Sequence, residues 1–131
     1  MSAKSPDLLD FAGFIEKEKL PEEFSKVHLF AAPSFYEGGP GFVYLEAMAC
    51  CIPVIGCSGS GVEEIIESGK NGLLVAPKDT SALEIALKKL IEDPDYANMI
   101  GKEGRKYVVE NADNNSCLEK LEQFYYSVLN K

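Results

Sequence analysis

Short apolar runs alternate with longer amphipathic stretches along most of this chain. Residues 28–32, 53–57 and 72–76 form three such runs, and each is stopped by a proline or by small residues. Runs of this length without polar alternation are typical of strands that are covered on both faces in a parallel sheet. We predict these three strands and a further, N-terminal strand over residues 8–15.

Helical patterns separate the predicted strands. A short helix with proline in its first turn is predicted at residues 20–24, a longer one at 42–51, and one of one to two turns at 62–68, which Gly69 ends. This alternation indicates the α/β class, in which a parallel sheet carries helices on both faces. With 131 residues, 46% of them hydrophobic, the chain is expected to form a single domain.

The remaining chain is predicted to be helical. Asp79 or Ser81 can cap a helix that Asp93-Pro94 interrupts, a second helix runs over residues 95–110, and Ser116 with Glu119 is a plausible capping box for the last one. The side chains expected to face the core in the first two of these helices are Leu83, Ala86, Leu87, Leu90, Ile91, Ile100, Tyr107 and Val108.

The last helix has an apolar surface that is wide for a terminal helix. Its apolar side chains are Leu118, Leu121, Phe124, Tyr125, Tyr126, Val128 and Leu129. A face of this width needs a cover. Either a partner domain supplies it or the helix packs on the sheet, and the sequence leaves both open.

Charge and composition exclude several classes of function. The net charge of −8 argues against a nucleic-acid or anionic-membrane surface, because both need clustered Lys and Arg. No run approaches about 18 apolar residues and the N-terminus lacks a signal-peptide core, so a cytoplasmic protein without a membrane span is expected. The four cysteines show no paired ligand spacing, so we expect reduced, mostly buried thiols and no metal.

The loop at residues 34–42 is the first candidate site. In parallel α/β sheets ligands bind outside the carboxyl ends of the strands, and this loop joins a predicted strand to a helix. Gly38, Gly39 and Gly41 let the backbone approach a ligand closely, and the first N–H groups of the helix attract phosphate oxygens. A glycine-rich turn without a ligand is the alternative. Glu46 can accept hydrogen bonds from a ribose diol, or it is simply a solvated helix residue.

These residues resemble a known family. The match runs through Pro33-Ser34-x-x-Glu37-Gly38, then Gly41-Phe42-Val43-Tyr44-Leu45-Glu46-Ala47-Met48-Ala49-Cys50 and Pro53-Val54-Ile55-Gly56. It continues in Ser60-Gly61-Val62-Glu63-Glu64-Ile65-Ile66 and in Gly69-x-x-Gly72-Leu73-Leu74-Val75-x-Pro77-x-Asp79, and upstream in Phe11-x-Gly13-Phe14-Ile15 before Leu20-Pro21. This order resembles family-4 retaining glycosyltransferases of the GT-B fold over residues 8–129.

The resemblance implies a Rossmann-like, three-layer half-domain with C-terminal helices, the nucleotide-sugar-binding half of a glycosyltransferase. By the resemblance Glu46 would hold the donor ribose, and the backbone at Gly41 and Phe42 would meet the diphosphate or ribose. Glu37 would face the transferred sugar as the catalytic candidate, and Phe14 and Ile15 would lie near the base. Four further positions of the family's donor site match Gly38, Gly39, Gly61 and Glu64 of this chain.

Two departures from the family matter. Eight residues separate Glu37 from Glu46, whereas the family usually has seven, so one extra residue lies in the turn Gly38-Gly39-Pro40-Gly41. Glu64 also fits a carboxylate that merely benefits from a helix dipole. The resemblance further implies an N-terminal acceptor domain and a basic residue pair, and neither is in this sequence. We therefore expect binding of a nucleotide-diphosphate sugar without useful turnover by this chain alone.

Other functions stay open at this point. The same cleft serves GT-B-like nucleotide-sugar epimerases, and the longer glutamate spacing favours a non-catalytic interaction module. His28 at a strand start is a weak candidate for a base, since a surface histidine explains it as well. The acceptor is a saccharide, a lipid or another group, and peripheral membrane association of a full-length protein stays open because a further domain can supply the surface.

Overall fold

The structure is a computed structural model that describes residues 8–35 and 41–129. Its regular elements are a 3₁₀ turn Lys17–Lys19, α1 Leu20–Ser25, β1 Phe30–Ala31, α2 Phe42–Ala49, β2 Val54–Cys57, a 3₁₀ turn Gly61–Glu64, β3 Leu73–Val75, α3 Thr80–Glu92, α4 Pro94–Asn111 and α5 Asn114–Leu129. The α/β class and three of the four predicted strands are confirmed.

The three strands form a parallel sheet in the order β1-β2-β3. Phe30 is the partner of Val54, and Ile55 is the partner of Leu73. Every residue of the central strand β2 is buried, as its continuous apolar sequence predicts. β1 has only two residues and Ala31 is exposed, so the expectation that this strand is covered on both faces is wrong. It lies at the edge of the sheet.

Alternate residues of β2 point into two separate parts of the core. Val54 packs with the buried residues Phe24, Tyr44, Ala47, Met48, Val62, Ile65 and Ile66, which come from α1, α2 and the segment after β2. Ile55 packs with Leu73, Val75, Ala86, Leu90 and Ile100, which come from β3, α3 and α4. Successive side chains of a strand face opposite sides of the sheet. The sheet therefore carries helices on both faces, as predicted.

The strand predicted over residues 8–15 is wrong, because residues 9–16 form neither helix nor strand. Gly13 has φ +67°, which takes the chain out of the extended region. A strand also needs a neighbour for its backbone groups, and the described strands pair only among themselves. Phe11 and Phe14 are consequently 90% and 93% exposed.

The helix predicted over residues 62–68 is only the 3₁₀ turn Gly61–Glu64. The buried side chain of Asn71 explains the early end. Its Oδ1 accepts a hydrogen bond from the N–H of Glu67 at 2.7 Å, and its Nδ2 donates to the carbonyl of Ile65 at 2.9 Å. Because Asn71 binds these two backbone groups, they are not available to continue the helix.

Helix α4 lies against the C-terminal end of α2. A Cβ placed on Gly101 would lie 2.1 Å from the backbone oxygen of Cys51, so the two backbones touch at this point. Arg105 donates a hydrogen bond to the carbonyl of Ala49 in the last turn of α2. Since that carbonyl has no partner within its own helix, Arg105 stabilises the end of α2.

The caps of the C-terminal helices settle three predictions. Asp79, and not Ser81, caps α3, because its Oδ1 accepts from the N–H of Ala82 at 2.8 Å. The capping box at Ser116 is wrong: α5 begins two residues earlier, and Asp113 Oδ2 accepts from the N–H of Asn115 at 3.1 Å. Ile91 is 65% exposed and does not belong to the core stripe of α3.

Helix α5 buries none of its residues. Leu118, Phe124 and Leu129 are 57%, 62% and 77% exposed, and the element that α5 contacts most is α4. The alternative that this helix packs on the sheet is therefore wrong for the part of the chain that the structure describes.

The cysteines are free, but the expectation that they are mostly buried is wrong. Cys57 is buried in β2, Cys50 is half-buried, and Cys51 and Cys117 are exposed. Cys51 follows the end of α2 with φ +60°, and Cys117 lies on α5, which buries none of its residues. Residues 8–35 and 41–129 contain no group of three or more His, Cys, Asp or Glu suited to a metal ion and no helix long and apolar enough to cross a membrane.

Candidate functional site

The candidate site is built on the N-terminus of α2. Gly41 precedes this helix with φ +66°, a conformation that residues with a side chain rarely adopt. The carbonyl of Gly41 accepts the first helical hydrogen bond, from the N–H of Tyr44 at 3.0 Å. No described side chain caps the helix. The N–H groups of Phe42 and Val43 lie ahead of the first helical donor and, by helix geometry, face outward.

The 3₁₀ turn after β2 lies beside this helix start. A Cβ on Gly41 would lie 3.2 Å from Val62 Cγ1, and a Cβ on Gly56 would lie 2.8 Å from Val62 Cγ2. Val62 is fully buried between these two glycines, one before α2 and the other in β2. Gly61 is its neighbour in the chain. The structure thus brings two predicted site residues, Gly41 and Gly61, to the same edge of the sheet.

Glu46 lies one turn further along α2. It is half-buried and lines a cavity of about 200 Å³ with Lys17, Leu20, Pro21, Phe24, Ala49 and Cys50. Phe42 and Glu46 are four residues apart, so they lie on one face of the helix. Phe42 is 78% exposed on that face. This face carries the carboxylate of Glu46, and the cavity that Glu46 lines is otherwise walled by apolar side chains and Lys17.

Phe14 and Ile15 line a different cavity, of about 400 Å³, with Ala12, Glu16, Lys19 and Glu23. Lys17, which lines the cavity of Glu46, lies between Glu16 and Lys19 in the same short stretch of chain. Each of these two cavities is therefore lined by one lysine of the 3₁₀ turn Lys17–Lys19, but they share no described residue.

Glu64 belongs to the same 3₁₀ turn as Gly61 but lines a different cavity from Glu46. It is exposed and lines a cavity of about 470 Å³ whose wall also includes Glu67, Lys70, Glu103, Lys106 and Tyr107. Hydrogen bonding and charge attraction from Glu67 raise the pKa of Lys70 in this cavity. The hydroxyl of Tyr107 donates to the backbone carbonyl of Glu64 at 3.5 Å. Among the described residues, this cavity shares none with the cavity of Glu46.

Glu37, Gly38 and Gly39 lie outside the described residues. Their assignments stay predictions from the sequence. His28 is exposed and lines an apolar groove with Leu29, Leu87, Leu90 and Ile91, next to the start of β1 and away from the helix start at Gly41.

Two residues near the site were missed by reasoning from the sequence. Lys17 gave no signal, because a lone lysine among charged neighbours is typical of a solvated surface. Tyr44 gave one: a tyrosine at the second position after Phe42 carries a hydroxyl into a helix face that is otherwise apolar, and a buried hydroxyl needs a partner. In the structure this side chain is fully buried and its hydroxyl donates to the carbonyl of Ala32.

Comparison with known proteins decides the family. The family model described as glycosyl transferases group 1 matches residues 2–107. The chain belongs to this family. Among relatives of this group 1 chain is the GDP-mannose-dependent alpha-(1-6)-phosphatidylinositol monomannoside mannosyltransferase of Mycolicibacterium smegmatis. It is 35% identical over an alignment of 107 residues that covers 77% of this chain and 28% of the relative.

Solved structures of related proteins share the fold. Sucrose-phosphate synthase from Thermosynechococcus elongatus superimposes with a TM-score of 0.84 at 33% identity, covering 95% of this group 1 chain and 31% of that protein. Anabaena Alr3699/HepE in complex with UDP and glucose gives a TM-score of 0.80 at 25% identity, covering 90% and 32%. The Rossmann-like arrangement of the GT-B fold is thereby confirmed. The chain spans about a third of the length of these proteins.

Proposed function

We propose that residues 1–131 form one domain, the nucleotide-sugar-binding half of a two-domain glycosyltransferase. In this proposal a separate N-terminal domain holds the acceptor, and the pair transfers a sugar from a nucleotide diphosphate to a saccharide, lipid or other acceptor. Family membership and the UDP complex of the related Anabaena protein support this reaction class.

The observation that carries the proposal is the start of α2 at the edge of the sheet. Gly41 has a left-handed conformation and no described side chain caps the first turn of α2, so the amides of Phe42 and Val43 have no helical partner. Free amides at a helix start are suited to bind a diphosphate without help from Lys or Arg. This matters in a chain of net charge −8, where a local group of donors has to offset the general repulsion of anions.

The roles of the single residues follow the same arrangement. Glu46 would accept hydrogen bonds from the ribose hydroxyls on the face of α2 that also carries Phe42, and Gly41 and Phe42 would meet the diphosphate through their backbone. The position of Gly61 beside this helix start supports a contact from its loop. Glu37 would face the sugar. Glu64 receives no such support, because its cavity lies apart.

Calorimetry with UDP, GDP, ADP and their sugar conjugates tests the proposal. Relatives of this chain use or bind different bases, which is why all three are compared. We expect one nucleotide to bind saturably, and Glu46→Ala to weaken it about 10-fold or more, because hydrogen bonds to a charged group contribute about 1.5–3 kcal/mol. Glu92→Ala removes the same charge from the far end of α3 and should leave the affinity unchanged.

The opposite results are equally clear. A folded chain that binds none of the nucleotides contradicts the proposed function. Equal weakening by Glu46→Ala and Glu92→Ala would show that only net charge matters, and would remove Glu46 from the site. With a sugar nucleotide and a saccharide acceptor, we expect binding but no measurable transfer by this chain alone, since transfer requires an oriented acceptor.

A further inference from the structure

The side chain of Tyr44 connects both ends of the loop that precedes α2. At the first end, its hydroxyl donates a hydrogen bond to the carbonyl of Ala32, the residue that follows β1. At the second end, its ring lies against Gly41, where a Cβ would approach Tyr44 Cδ2 to 2.7 Å. One side chain therefore contacts the residue before the loop and the residue after it.

Tyr44 itself is held rigidly. It is fully buried, and its ring meets the ring of Phe30 in β1 edge to face, with centroids 5.3 Å apart and planes at 85°. Phe30 in turn meets Phe24 of α1 in the same manner at 5.8 Å. Edge-to-face pairs add to the stabilisation from burial alone. The ring of Tyr44 is thus fixed by the core before any ligand binds.

Because of these contacts, the position of the helix start does not depend on the number of residues in the loop before it. Tyr44 contacts the two described residues that flank the segment 33–40, Ala32 and Gly41, and these contacts do not depend on which residues lie between them. Extending a loop by one residue changes its closure entropy only slightly. Eight residues lie between Glu37 and Glu46, one more than is usual in the family that this chain resembles. This extra residue can therefore be tolerated while Gly41 and Phe42 keep their places.

We propose that Tyr44 is a positioning residue that presents the Gly41 and Phe42 amides to the donor diphosphate, and that it does so through its hydrogen bond to Ala32. This inference rests on the proposed nucleotide-binding function. Without the bond, the helix start would sample other positions, and the apparent affinity would fall with the fraction of molecules that keep the competent one.

Tyr44→Phe removes the hydroxyl and retains the ring. The variant is expected to fold, since the Ala32 carbonyl still accepts from the N–H of Ser34 at 2.6 Å and is not left without a donor. We expect the dissociation constant of the nucleotide to rise about 3- to 10-fold well below the unfolding temperature. We also expect the amides of Tyr44 and Leu45, which donate to the carbonyl of Gly41, to exchange faster, and saturating nucleotide to slow their exchange again.

Tyr96→Phe is the matched control. Tyr96 lies in α4, where its ring is under the ammonium of Lys89, 4.2 Å from the centroid, in the other part of the core. Removal of the Tyr96 hydroxyl should leave both the affinity for nucleotide and the exchange of the Leu45 amide unchanged. A merely structural role of Tyr44 would lower the unfolding temperature of Tyr44→Phe without altering either quantity.

The outcomes distinguish this inference from the proposed function. If the parent chain binds nucleotide, Glu46→Ala weakens it and Tyr44→Phe binds as tightly as the parent, the role of Tyr44 is overturned while the function stands. If the parent chain binds no nucleotide, the function fails and the positioning role fails with it.

Discussion

At the scale of the residue, Gly41 meets two requirements at once. Its φ of +66° demands a residue without a Cβ, and the ring of Tyr44 and the side chain of Val62 occupy the space into which a Cβ would point. Gly13 has nearly the same angle, φ +67°, but open space around it. Comparing substitutions at the two glycines therefore distinguishes the cost of conformational strain from the cost of steric overlap.

We expect Gly41→Ala to lower the free energy of unfolding by about 2–4 kcal/mol, because strain in the left-handed region and overlap with a packed core add. Gly13→Ala carries the strain alone and should cost about 1–2 kcal/mol at most. Urea denaturation of both variants measures the difference. Equal losses would mean that the contact of Gly41 with Tyr44 contributes nothing.

At the scale of the element, the contact between α2 and α4 places the helix that carries Glu46. Gly101 brings the backbone of α4 against Cys51, and Arg105 binds the carbonyl of Ala49. Gly104 lies one turn further on, where a Cβ would come no closer than 3.3 Å to any atom. Both glycines reduce the intrinsic stability of the helix by a similar amount.

Replacing each glycine of this pair by alanine tests the packing. Gly101→Ala is expected to lower the free energy of unfolding by about 2 kcal/mol or more. The new Cβ would lie 2.1 Å from the backbone oxygen of Cys51, which cannot move aside without shifting the end of α2. Gly104→Ala should stay within about 1 kcal/mol of the parent, because the gain in helix propensity offsets a mild contact. Thermal and urea unfolding provide the measurement. A stable Gly101→Ala protein would show that α4 does not approach α2 as described.

The elements also show how far the sequence alone leads. The buried strand β2 and the amphipathic helices α3 and α4 follow directly from their apolar patterns, because burial and periodicity are local properties of the chain. The strand expected over residues 8–15 failed, since a strand exists only with a partner. The helix predicted over residues 62–68 failed because the side chain of Asn71 binds the backbone of Ile65 and Glu67, a contact that an apolar pattern does not show.

The candidate site follows the same division. Gly41 was singled out because a glycine-rich loop before a helix lets the backbone approach a ligand, and the structure shows it at the start of α2 beside Val62, while its role in binding stays a prediction. Glu46 and Phe42 lie on one helix face, which their spacing of four residues already requires. That Glu64 lines a different cavity, and that Lys17 shares a cavity with Glu46, depends on how the 3₁₀ turns and helices pack and has no local signal.

At the scale of the whole molecule, two observations favour a further domain beside this one. They are the exposed apolar surface of α5 and the fraction of its relatives' length that the chain spans. The chain spans 28–32% of the proteins compared with it, and α5 presents Leu118, Leu121 and Phe124 to solvent. Since α5 buries none of its residues, we propose that the acceptor-holding domain of the proposed function covers this face.

The most direct test of the central claim is to locate the bound nucleotide on the chain. Amide chemical shifts of isotope-labelled protein would be followed during a titration with the nucleotide that calorimetry selects. The account predicts the largest shifts at Gly41, Phe42 and Gly61, with smaller ones along the face of α2 that carries Glu46. Shifts confined to the cavity around Glu64 and Tyr107, or to the groove beside His28, would contradict it.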